Sequence, residues 1–353
     1  MQPESIEFGF LSIFSLITFF VFLILSKYAY KFKNGILLDN DFNKPQSFHK
    51  EPVGCVGGVA SLFSFVIFLG IYNLLFSEFL YEYFFLSLCL FFIGFLDDLK
   101  VKVSPNLRLS LMSISLIFFI FILSIQIKNI DLIFVQFLLK NKFFSVFFTL
   151  ICILFIVNGS NLIDGFNGLL GINILIINSV LLFINLNNNH FEFSILIIAQ
   201  MIILICFLLF NFPKAKMFLG DSGSYLLGVL TSLNIINTNN LNSNMSSFFF
   251  CILLFYLFFE VFFSFLRKIY QNKSPVLPDD KHLHMLSFKK ISKTFGNEQS
   301  NYINSLVINL VYSSLVLPSL FFSDNDIVCK YWFFSLLIVY MIIYYRLYYL
   351  TKN

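Results

Sequence analysis

Acidic side chains are few in this sequence, 19 among 353 residues, and several lie in short polar breaks between long apolar runs. The four breaks are FLDDLK at 95–100, NGSNLIDGFNGL at 158–169, FLGDSGS at 218–224 and PDDKHLHM at 278–285. A charge at membrane depth is costly and is rarely kept without a task. If the breaks share one membrane face, they indicate an active site for a charged group that is carried on a lipid.

Two adjacent carboxylates, Asp97 and Asp98, end the third apolar run. Adjacent carboxylates repel each other, so the pKa of one should rise unless a cation lies near. One interpretation is a solvated helix end beside Lys100 and Lys102. The other is a magnesium site or a general base, because Mg²⁺ takes oxygen ligands, usually one or two carboxylates together with substrate phosphates. The pair alone does not decide between the two.

The second break offers amide and carboxylate groups at three-residue spacing, at Asn158, Asn161, Asp164 and Asn167. This spacing lines one side of a helical turn, and the intervening glycines permit close approach of a ligand. An asparagine-rich turn with helix caps is the alternative. Because that alternative does not explain a carboxylate flanked by apolar residues at a membrane edge, we favour a binding site.

Asp221 lies in a glycine-flanked segment directly before another apolar run. Aspartate and serine are good helix N-caps, which gives a purely structural interpretation. A helix N-terminus also binds anions through its free amides. With a carboxylate present as well, a metal-bridged phosphate is the better interpretation.

His282 and His284 lie in a basic segment that contains prolines, and the chain has only four histidines. Isolated loop histidines are usually solvated surface residues. A His-x-His pair without cysteine is a weak metal signal, but it suits a contact to a pyrophosphate. Both interpretations are open at this point.

The elements that must position these groups are apolar helices. The chain is 58% hydrophobic and 12% charged, with a mean hydropathy of +0.85. We predict an all-α, polytopic helical membrane protein, one domain over residues 1–353 with about eleven transmembrane helices. The runs are continuously apolar, which excludes a barrel of alternating strands. The predicted spans are 8–26, 56–76, 79–96, 108–127, 143–158, 169–186, 193–210, 224–236, 248–266, 302–322 and 331–350.

The basic residues predict the orientation. Alternation from an outside N-terminus places 19 of the 23 lysines and arginines inside and 4 outside, as the positive-inside rule favours. All four breaks then face the cytoplasm. The first run has no basic residues before it, so we expect no cleaved signal. The six cysteines show no CxxC spacing, so neither a disulfide framework nor a zinc site is expected. The net charge of +4 indicates no nucleic-acid partner.

Together the motifs resemble the polyprenyl-phosphate N-acetylhexosamine-1-phosphate transferases, the WecA- and TagO-like members of the MraY superfamily. The resemblance rests on GFLDDLK, NxxNxxDGxxGL, FLGDSGS and DxxHLH, which occur here in the family's order. HKEPVGCVGGVA at 49–60 also resembles the family's first inside loop. The similarity runs from about residue 49 to residue 285.

The resemblance implies a reaction at the cytoplasmic face of a bacterial inner membrane. Undecaprenyl phosphate takes the sugar-1-phosphate of a UDP-activated amino sugar, which gives a lipid-linked pyrophosphate sugar and UMP and initiates a cell-envelope polysaccharide. The implied cofactor is Mg²⁺, with Mn²⁺ as a second candidate, and a homodimer is a further expectation. Direct attack and a covalent intermediate are both open.

The resemblance also implies roles for single residues. Asp221 and Asp98 are the expected metal ligands, and Asp97 and Asp98 are expected to position or deprotonate the lipid phosphate. His282 and His284 are expected to act in catalysis, at the diphosphate and the sugar. The expected substrate-binding set, in which the phenylalanine stacks on uracil, is His49, Asn161, Asp164, Asn167, Asn211 and Phe218.

Several positions depart from the family pattern, and they leave the sugar open. They are Asn167 (commonly Asp), Met285 (commonly His), Asp280 (commonly Arg), Glu260 (frequently Asp) and Gly54-Cys55 (usually Pro-Arg). A phospho-N-acetylmuramoyl-pentapeptide transferase of the MraY type is the first alternative. An inactive relative or a membrane transporter is the alternative of another class. A transporter would carry its charges at mid-span, whereas these lie at span ends.

Overall fold

The computed structural model describes residues 3–31, 36–39, 52–101, 103–275, 277 and 279–352. The predicted substrate-binding residue His49, and Lys102 near the carboxylate pair, lie outside the described residues. The described helices are α1 (Pro3–Tyr28), α2 (Gly57–Phe76), α3 (Tyr81–Asp98), α4 (Pro105–Ile122), α5 (Ile133–Leu138), α6 (Lys142–Ile163), α7 (Leu169–Asn187), α8 (Phe191–Asn211), α9 (Gly220–Leu241), α10 (Ser247–Leu253), α11 (Phe255–Tyr270), α12 (Leu283–Phe295), α13 (Asn297–Val316) and α14 (Asp326–Lys352). A small antiparallel sheet pairs β1 (Leu38–Asp39) with β2 (Val53–Gly54).

The predicted all-α, polytopic membrane fold is confirmed, and each predicted span falls on a helix or a helix pair. By length and composition, eight helices within the described residues can cross a membrane, and the bent pair of α10 and α11 makes nine. The eight are α1, α2, α4, α6, α7, α8, α13 with the short turn after it, and α14. The two remaining predicted spans, α3 and α9, are more polar, because α3 carries three carboxylates and α9 many amide and hydroxyl side chains.

The central position of α9 explains its polar sequence. It packs against α2, α3, α6 and α7, and nearly all of its residues are buried. Its polar side chains find partners inside the bundle. Asn234 Nδ2 donates to Gln200 Oε1 (2.7 Å), and Asn185 Nδ2 donates to Thr238 Oγ1 (2.9 Å). A helix enclosed by protein needs no apolar face toward lipid, so the predicted span 224–236 is shorter than the observed 22-residue helix.

Two glycines allow α9 to approach its neighbours closely. A Cβ at Gly58 of α2 would lie 2.5 Å from Gly223 N, and a Cβ at Gly94 of α3 would lie 2.6 Å from the carbonyl oxygen of Asp221. Small residues at helix contacts let backbones pack tightly in membrane bundles. The first turn of α9 is thereby fixed against the last turn of α3, which ends with the two adjacent carboxylates.

The predicted span 248–266 is not one straight helix. α10 and α11 meet at a bend of 76°, although neither proline nor glycine lies there. The carbonyl of Leu253 at the bend accepts a hydrogen bond from the buried hydroxyl of Tyr312 on α13. Gly159 of α6 leaves room for the carbonyl of Leu257. Contacts from two neighbouring helices therefore support the bend.

The small sheet connects the loop between α1 and α2 to the segment just before the N-terminus of α9. Gly54 pairs with Leu38 in the sheet and with Met217 in a parallel bridge. Phe218 N donates to Gly54 O (2.9 Å), and Gly57 N donates to Phe218 O (2.9 Å). The segment that carries Phe218 is therefore fixed through its backbone on both sides.

Candidate active site

A cavity of about 710 Å³ lies where the first three polar breaks meet. Its wall combines carboxylates from α3, α9 and the turn after α6 with amides, phenylalanine side chains and the three lysines Lys100, Lys214 and Lys216. The structure brings eight of the sequence-predicted site residues to this cavity. They are Asp97, Asp98, Asn161, Asp164, Asn167, Asn211, Phe218 and Asp221.

Asp98 caps the N-terminus of α9 from a neighbouring helix. Its Oδ1 accepts a hydrogen bond from Asp221 N (2.8 Å), and its Oδ2 accepts from Ser222 N (3.1 Å) and Ser222 Oγ (2.5 Å). Gly220 has a φ of +77°, and a Cβ there would lie 2.6 Å from Asp98 Oδ2, so the turn favours glycine. The carboxylate satisfies free amides at the positive end of the helix dipole. Asp98 therefore positions Asp221, and its role as a metal ligand stays a prediction.

Arg108, in the first turn of α4, joins the carboxylates of two motifs. Its Nη1 donates to Asp97 Oδ2 (2.8 Å) and to Asp221 Oδ2 (2.6 Å). Its guanidinium carbon lies 5.9 Å from the centroid of the Tyr225 ring. In the sequence Arg108 is only one of the 19 bases predicted inside, and no motif indicates this role. The available signal was that it is one of only three arginines in the chain, a residue type favoured where one cation must serve several carboxylate oxygens.

The carboxylates of Asp221 and Asp164 differ in the hydrogen bonds that they accept. Asp221 Oδ1 accepts a hydrogen bond from Asn161 Nδ2 (2.9 Å). Asp164, which follows the last residue of α6, accepts no hydrogen bond from the described residues. Burial, and then the negative charges of Asp221 and Asp98, raise the pKa of Asp164 to about 8. The carboxyl of Asp164 is therefore mostly protonated near neutral pH and becomes a negatively charged ligand when it releases this proton.

The donor set of this corner suits a hard divalent cation. Within the part of the chain that the structure describes, no three His, Cys, Asp or Glu side chains already converge as a metal site. Mg²⁺ does not need such a cluster, because it is usually bound through one or two carboxylates together with substrate phosphates and water. The carboxylates that fit this mode of binding are Asp221 and Asp164, the second of which has no partner among the described residues.

Two asparagines shape the turn between α6 and α7. Asn211 is buried; its Oδ1 accepts from Gly168 N (2.7 Å), and its Nδ2 donates to Met217 O (2.9 Å). Asn167 Nδ2 donates to the carbonyl of Pro213 (2.9 Å). An ionised aspartate, the residue that the family pattern commonly has at 167, could not donate this hydrogen bond. The hydrogen bond to Pro213 therefore explains why asparagine suits position 167 in this chain.

His282 and His284 do not line the cavity and are buried behind it. His284 packs edge-on against Phe166, a cavity residue, with ring centroids 5.8 Å apart. Its ring also stacks on that of His282 at 5.4 Å. Burial lowers the pKa of His284 to about 3, so this imidazole is neutral. The interpretation of the pair as solvated surface residues is wrong, while their contact with the diphosphate stays a prediction.

His282 lies between two carboxylates. Its Nδ1 is 3.1 Å from Glu260 Oε1, and its Nε2 is 3.1 Å from Asp279 Oδ1. Burial lowers the pKa of His282, but the hydrogen bonds to Asp279 and Glu260 outweigh burial, so the pKa is raised. Asp279 also pairs with Arg267 (2.6 Å), and Tyr340 Oη donates to Glu260 Oε2 (2.6 Å). The glutamate at 260 thus connects the histidine to the last helix, α14.

Three further departures, Met285, Asp280 and Gly54, also have local explanations. Met285 is 2% exposed and fills the apolar interior beneath α12. Asp280 pairs with Lys289 (2.5 Å). A Cβ at Gly54 would lie 2.7 Å from the Cβ of Ala29, so this strand position has no room for a larger residue.

Comparisons with known proteins agree with this geometry. The model of the family described as "Glycosyl transferase family 4" matches residues 80–239, which contain the first three polar breaks. An undecaprenyl-phosphate alpha-N-acetylglucosaminyl 1-phosphate transferase of Thermotoga maritima is 30% identical over 279 residues, 79% of this chain and 81% of the relative. Phospho-N-acetylmuramoyl-pentapeptide-transferases of Dictyoglomus turgidum and Dictyoglomus thermophilum are 31% and 30% identical, over 63% and 70% of this chain and 73% and 81% of theirs. With most of its length aligned to the Thermotoga relative, this chain belongs to glycosyl transferase family 4.

Proposed function

We propose that this chain transfers N-acetylhexosamine-1-phosphate from a UDP-sugar to undecaprenyl phosphate and releases UMP. We place the reaction at the cytoplasmic face of a bacterial inner membrane. The observation that carries the proposal is the cavity, where carboxylates, an arginine and three lysines gather at the ends of membrane helices. A lipid-borne phosphate and a soluble nucleotide sugar can meet there. The name of the Thermotoga relative supports undecaprenyl phosphate and an acetylglucosaminyl phosphate as the reacting groups.

In the proposed reaction an oxygen of the lipid phosphate attacks the phosphorus that bears the sugar. A new phosphorus–oxygen bond forms, and the bond between this phosphorus and the oxygen of the nucleotide α-phosphate breaks. UMP leaves with the electron pair of that bond. Both reactants are anions, so the site must neutralise charge where they meet. The lysines of the cavity wall favour the approach of both reactants.

Mg²⁺ is the proposed cofactor, with Mn²⁺ as a second candidate. When bound, the cation would neutralise and polarise phosphate oxygens. Asp221 and Asp164 would hold it, and Asp98, predicted as a ligand, keeps Asp221 in place by capping α9. Arg108 holds the carboxylate of Asp97 beside that of Asp221. We assign to Asp97 the role of orienting the incoming lipid phosphate.

UMP release by the purified protein tests the proposal. With undecaprenyl phosphate and Mg²⁺, UDP-GlcNAc should release UMP in proportion to the lipid supplied. Asp221→Asn should lose nearly all turnover and keep the unfolding temperature within a few degrees, because a catalytic metal contact is worth several kcal/mol. Substantial activity of this variant, or activity that EDTA does not reduce, would contradict the metal assignment. Absence of UMP release from every UDP-sugar would contradict the function.

The second candidate is a phospho-N-acetylmuramoyl-pentapeptide transferase. The names of the two Dictyoglomus relatives favour it. UDP-N-acetylmuramoyl-pentapeptide in the same assay separates the candidates, because both reactions release UMP. A kcat/KM at least about 10-fold higher for UDP-GlcNAc, which corresponds to about 1.4 kcal/mol of transition-state discrimination, supports the first candidate. The opposite preference supports the second.

A further inference from the structure

Asn301 of α13 lines the cavity, although it belongs to none of the sequence motifs. It is only 7% exposed, and its Oδ1 accepts a hydrogen bond from Asn167 N (2.8 Å). The backbone N–H can donate only to the oxygen of the carboxamide, so the network fixes which atom is Nδ2. This Nδ2 donates to none of the described residues. A buried carboxamide therefore offers an unused donor at the cavity wall.

The chemistry around Asn301 differs from that around Asp221. The turn of Asn167, which Asn301 anchors, is bonded through Asn211 to the segment that carries Phe218. The amides of Asn167, Asn211 and Asn301 lie here with the Phe218 segment, and the same wall also carries Glu298, three residues before Asn301 on α13, and Lys214, next to Pro213. A planar group with carbonyl oxygens suits an aromatic face next to an amide donor.

We propose that Asn301 is a specificity-determining residue whose Nδ2 donates a hydrogen bond to an oxygen of the uridine portion of the nucleotide. The inference rests on the proposed function for the identity of the nucleotide. A uracil base and its ribose present several acceptor oxygens. Nδ2 has no acceptor among the described residues and lies at the cavity wall, so a ligand oxygen placed there would replace water as its acceptor. α13 thereby takes part in the site alongside the motif segments.

Two substitutions remove Nδ2: aspartate keeps an acceptor for Asn167 N, and the shorter serine leaves a hydroxyl that does not extend to the position of Nδ2. Asn301→Asp is isosteric but charged, and Asn301→Ser is neutral, so agreement between them excludes a charge effect. We expect the Kd for UMP, titrated on the purified full-length protein, to rise roughly 5- to 150-fold in both, the range for a polar group left unmatched. An unchanged Kd in a folded variant would overturn the proposal.

Asn309→Ala is the matched control on the same helix. Asn309 Nδ2 donates to Leu169 O (3.1 Å) and Ser305 O (3.0 Å), and its Oδ1 accepts from Asn173 Nδ2 (3.2 Å). It does not line the cavity. This variant should lower the unfolding temperature and leave the Kd for UMP within about twofold. An equal loss of UMP affinity in this control would assign the effect to α13 packing and would overturn the inference.

Uridine analogues distinguish a direct contact from a structural effect. UMP, 2-thio-UMP, 4-thio-UMP and 2′-deoxy-UMP are titrated on the wild type and on Asn301→Ser. For one analogue, the Kd of the wild type should exceed its Kd for UMP by roughly fivefold or more. The same comparison in the variant should give a much smaller increase, because the variant has already lost the hydrogen bond. Equal losses in both proteins for all three analogues would overturn the inference. Wild-type UMP binding and turnover would then still support the proposed function, whereas a wild type that neither binds UMP nor releases it would contradict that function itself.

Discussion

Arg108 determines how the carboxylates of the cavity share their charge. One nitrogen of its guanidinium lies within 2.8 Å of Asp97 and 2.6 Å of Asp221, and the side chain is 19% exposed. The two carboxylates come from different helices, α3 and α9. The guanidinium therefore holds both in one arrangement for the lipid phosphate and the cation.

Arg108→Lys should lower kcat about 10- to 100-fold, although the charge is kept. Lysine carries its ammonium on a flexible chain that is one bond shorter, so it does not reproduce the position of Nη1 between both carboxylates. The KM for UDP-GlcNAc should change less, because the nucleotide portion of the cavity is unaltered. Arg346→Lys, at an exposed position of α14, is the control, and its kcat should stay within twofold. Equal kcat values for the wild type and Arg108→Lys would show that only the net charge matters.

Asp164 couples cation binding to pH. Its pKa of about 8 in the folded protein lies above the ordinary value of 3.8, so between these values the folded state binds a proton that the unfolded chain has released. Without Mg²⁺, the stabilising effect of this group is present at low pH and is lost as the pH rises toward 8. Because Mg²⁺ needs the deprotonated carboxylate, its affinity should increase over the same window.

We predict that the rise in unfolding temperature caused by Mg²⁺ grows between pH 6 and pH 8 and then levels off. Thermal unfolding in detergent with graded Mg²⁺ at each pH measures this. Asp164→Asn has no proton to release at this position, so the pH dependence should become weaker. If Asp164→Asn shows the same pH dependence as the wild type, another group is responsible.

At the scale of elements, the contact between α3 and α9 builds the centre of the site. The carboxylate that ends α3 caps the first turn of α9, and Gly220 leaves the space that this contact needs. Any side chain at 220 meets two penalties, a positive φ and a carboxylate oxygen 2.6 Å from the Cβ position. The position of Asp221 therefore depends on a glycine.

Gly220→Ala should destabilise the protein by roughly 1–3 kcal/mol, the scale of a strained backbone position, and should remove most turnover. Gly70→Ala in α2 is the matched control, because a Cβ there has nothing within 4 Å. Alanine in a helix interior stabilises by about 0.5–1 kcal/mol relative to glycine. Unfolding temperature and UMP release are measured for both variants. A fully active Gly220→Ala would show that the capped turn is not needed for the site.

The elements also show what the sequence can predict. A long apolar run in a bilayer forms a helix, because the helix satisfies its own backbone hydrogen bonds. The spans could therefore be predicted from the sequence. The convergence of the carboxylates followed from counting the spans. The partners of Arg108 lie 11 and 113 residues away along the chain, and a single base at a helix start looks like any residue that obeys the positive-inside rule. The bend after Leu253 and the burial of His282 depend on Tyr312 and Tyr340 from distant helices, which no local pattern reveals.

At the scale of the whole molecule, α7 and α9 separate two polar regions. Both helices begin at the cavity of the polar breaks, and at their other ends lies a second cavity of about 590 Å³ lined by asparagines and His190. The predicted topology places the first cavity inside and the second outside. The membrane orientation can therefore be tested at two positions.

Cysteines introduced at Asn188 and Lys281 should react from opposite sides of the membrane. A membrane-impermeant maleimide should label Asn188→Cys in intact cells and Lys281→Cys only after permeabilisation. The unmodified protein, with its six cysteines, provides the background signal. Labelling of both positions from the same side would refute the eleven-span topology and the cytoplasmic site.

The central claim is that the phosphate next to the sugar moves to the lipid together with the sugar. UDP-GlcNAc that carries ³²P in its β-phosphate, incubated with the purified protein, undecaprenyl phosphate and Mg²⁺, tests it directly, with Asp221→Asn as the inactive control. We predict that the label enters the organic phase in a one-to-one ratio with the UMP released, and that the control transfers almost none. Label that stays in the aqueous phase as UDP, while the sugar alone enters the lipid, would contradict the account.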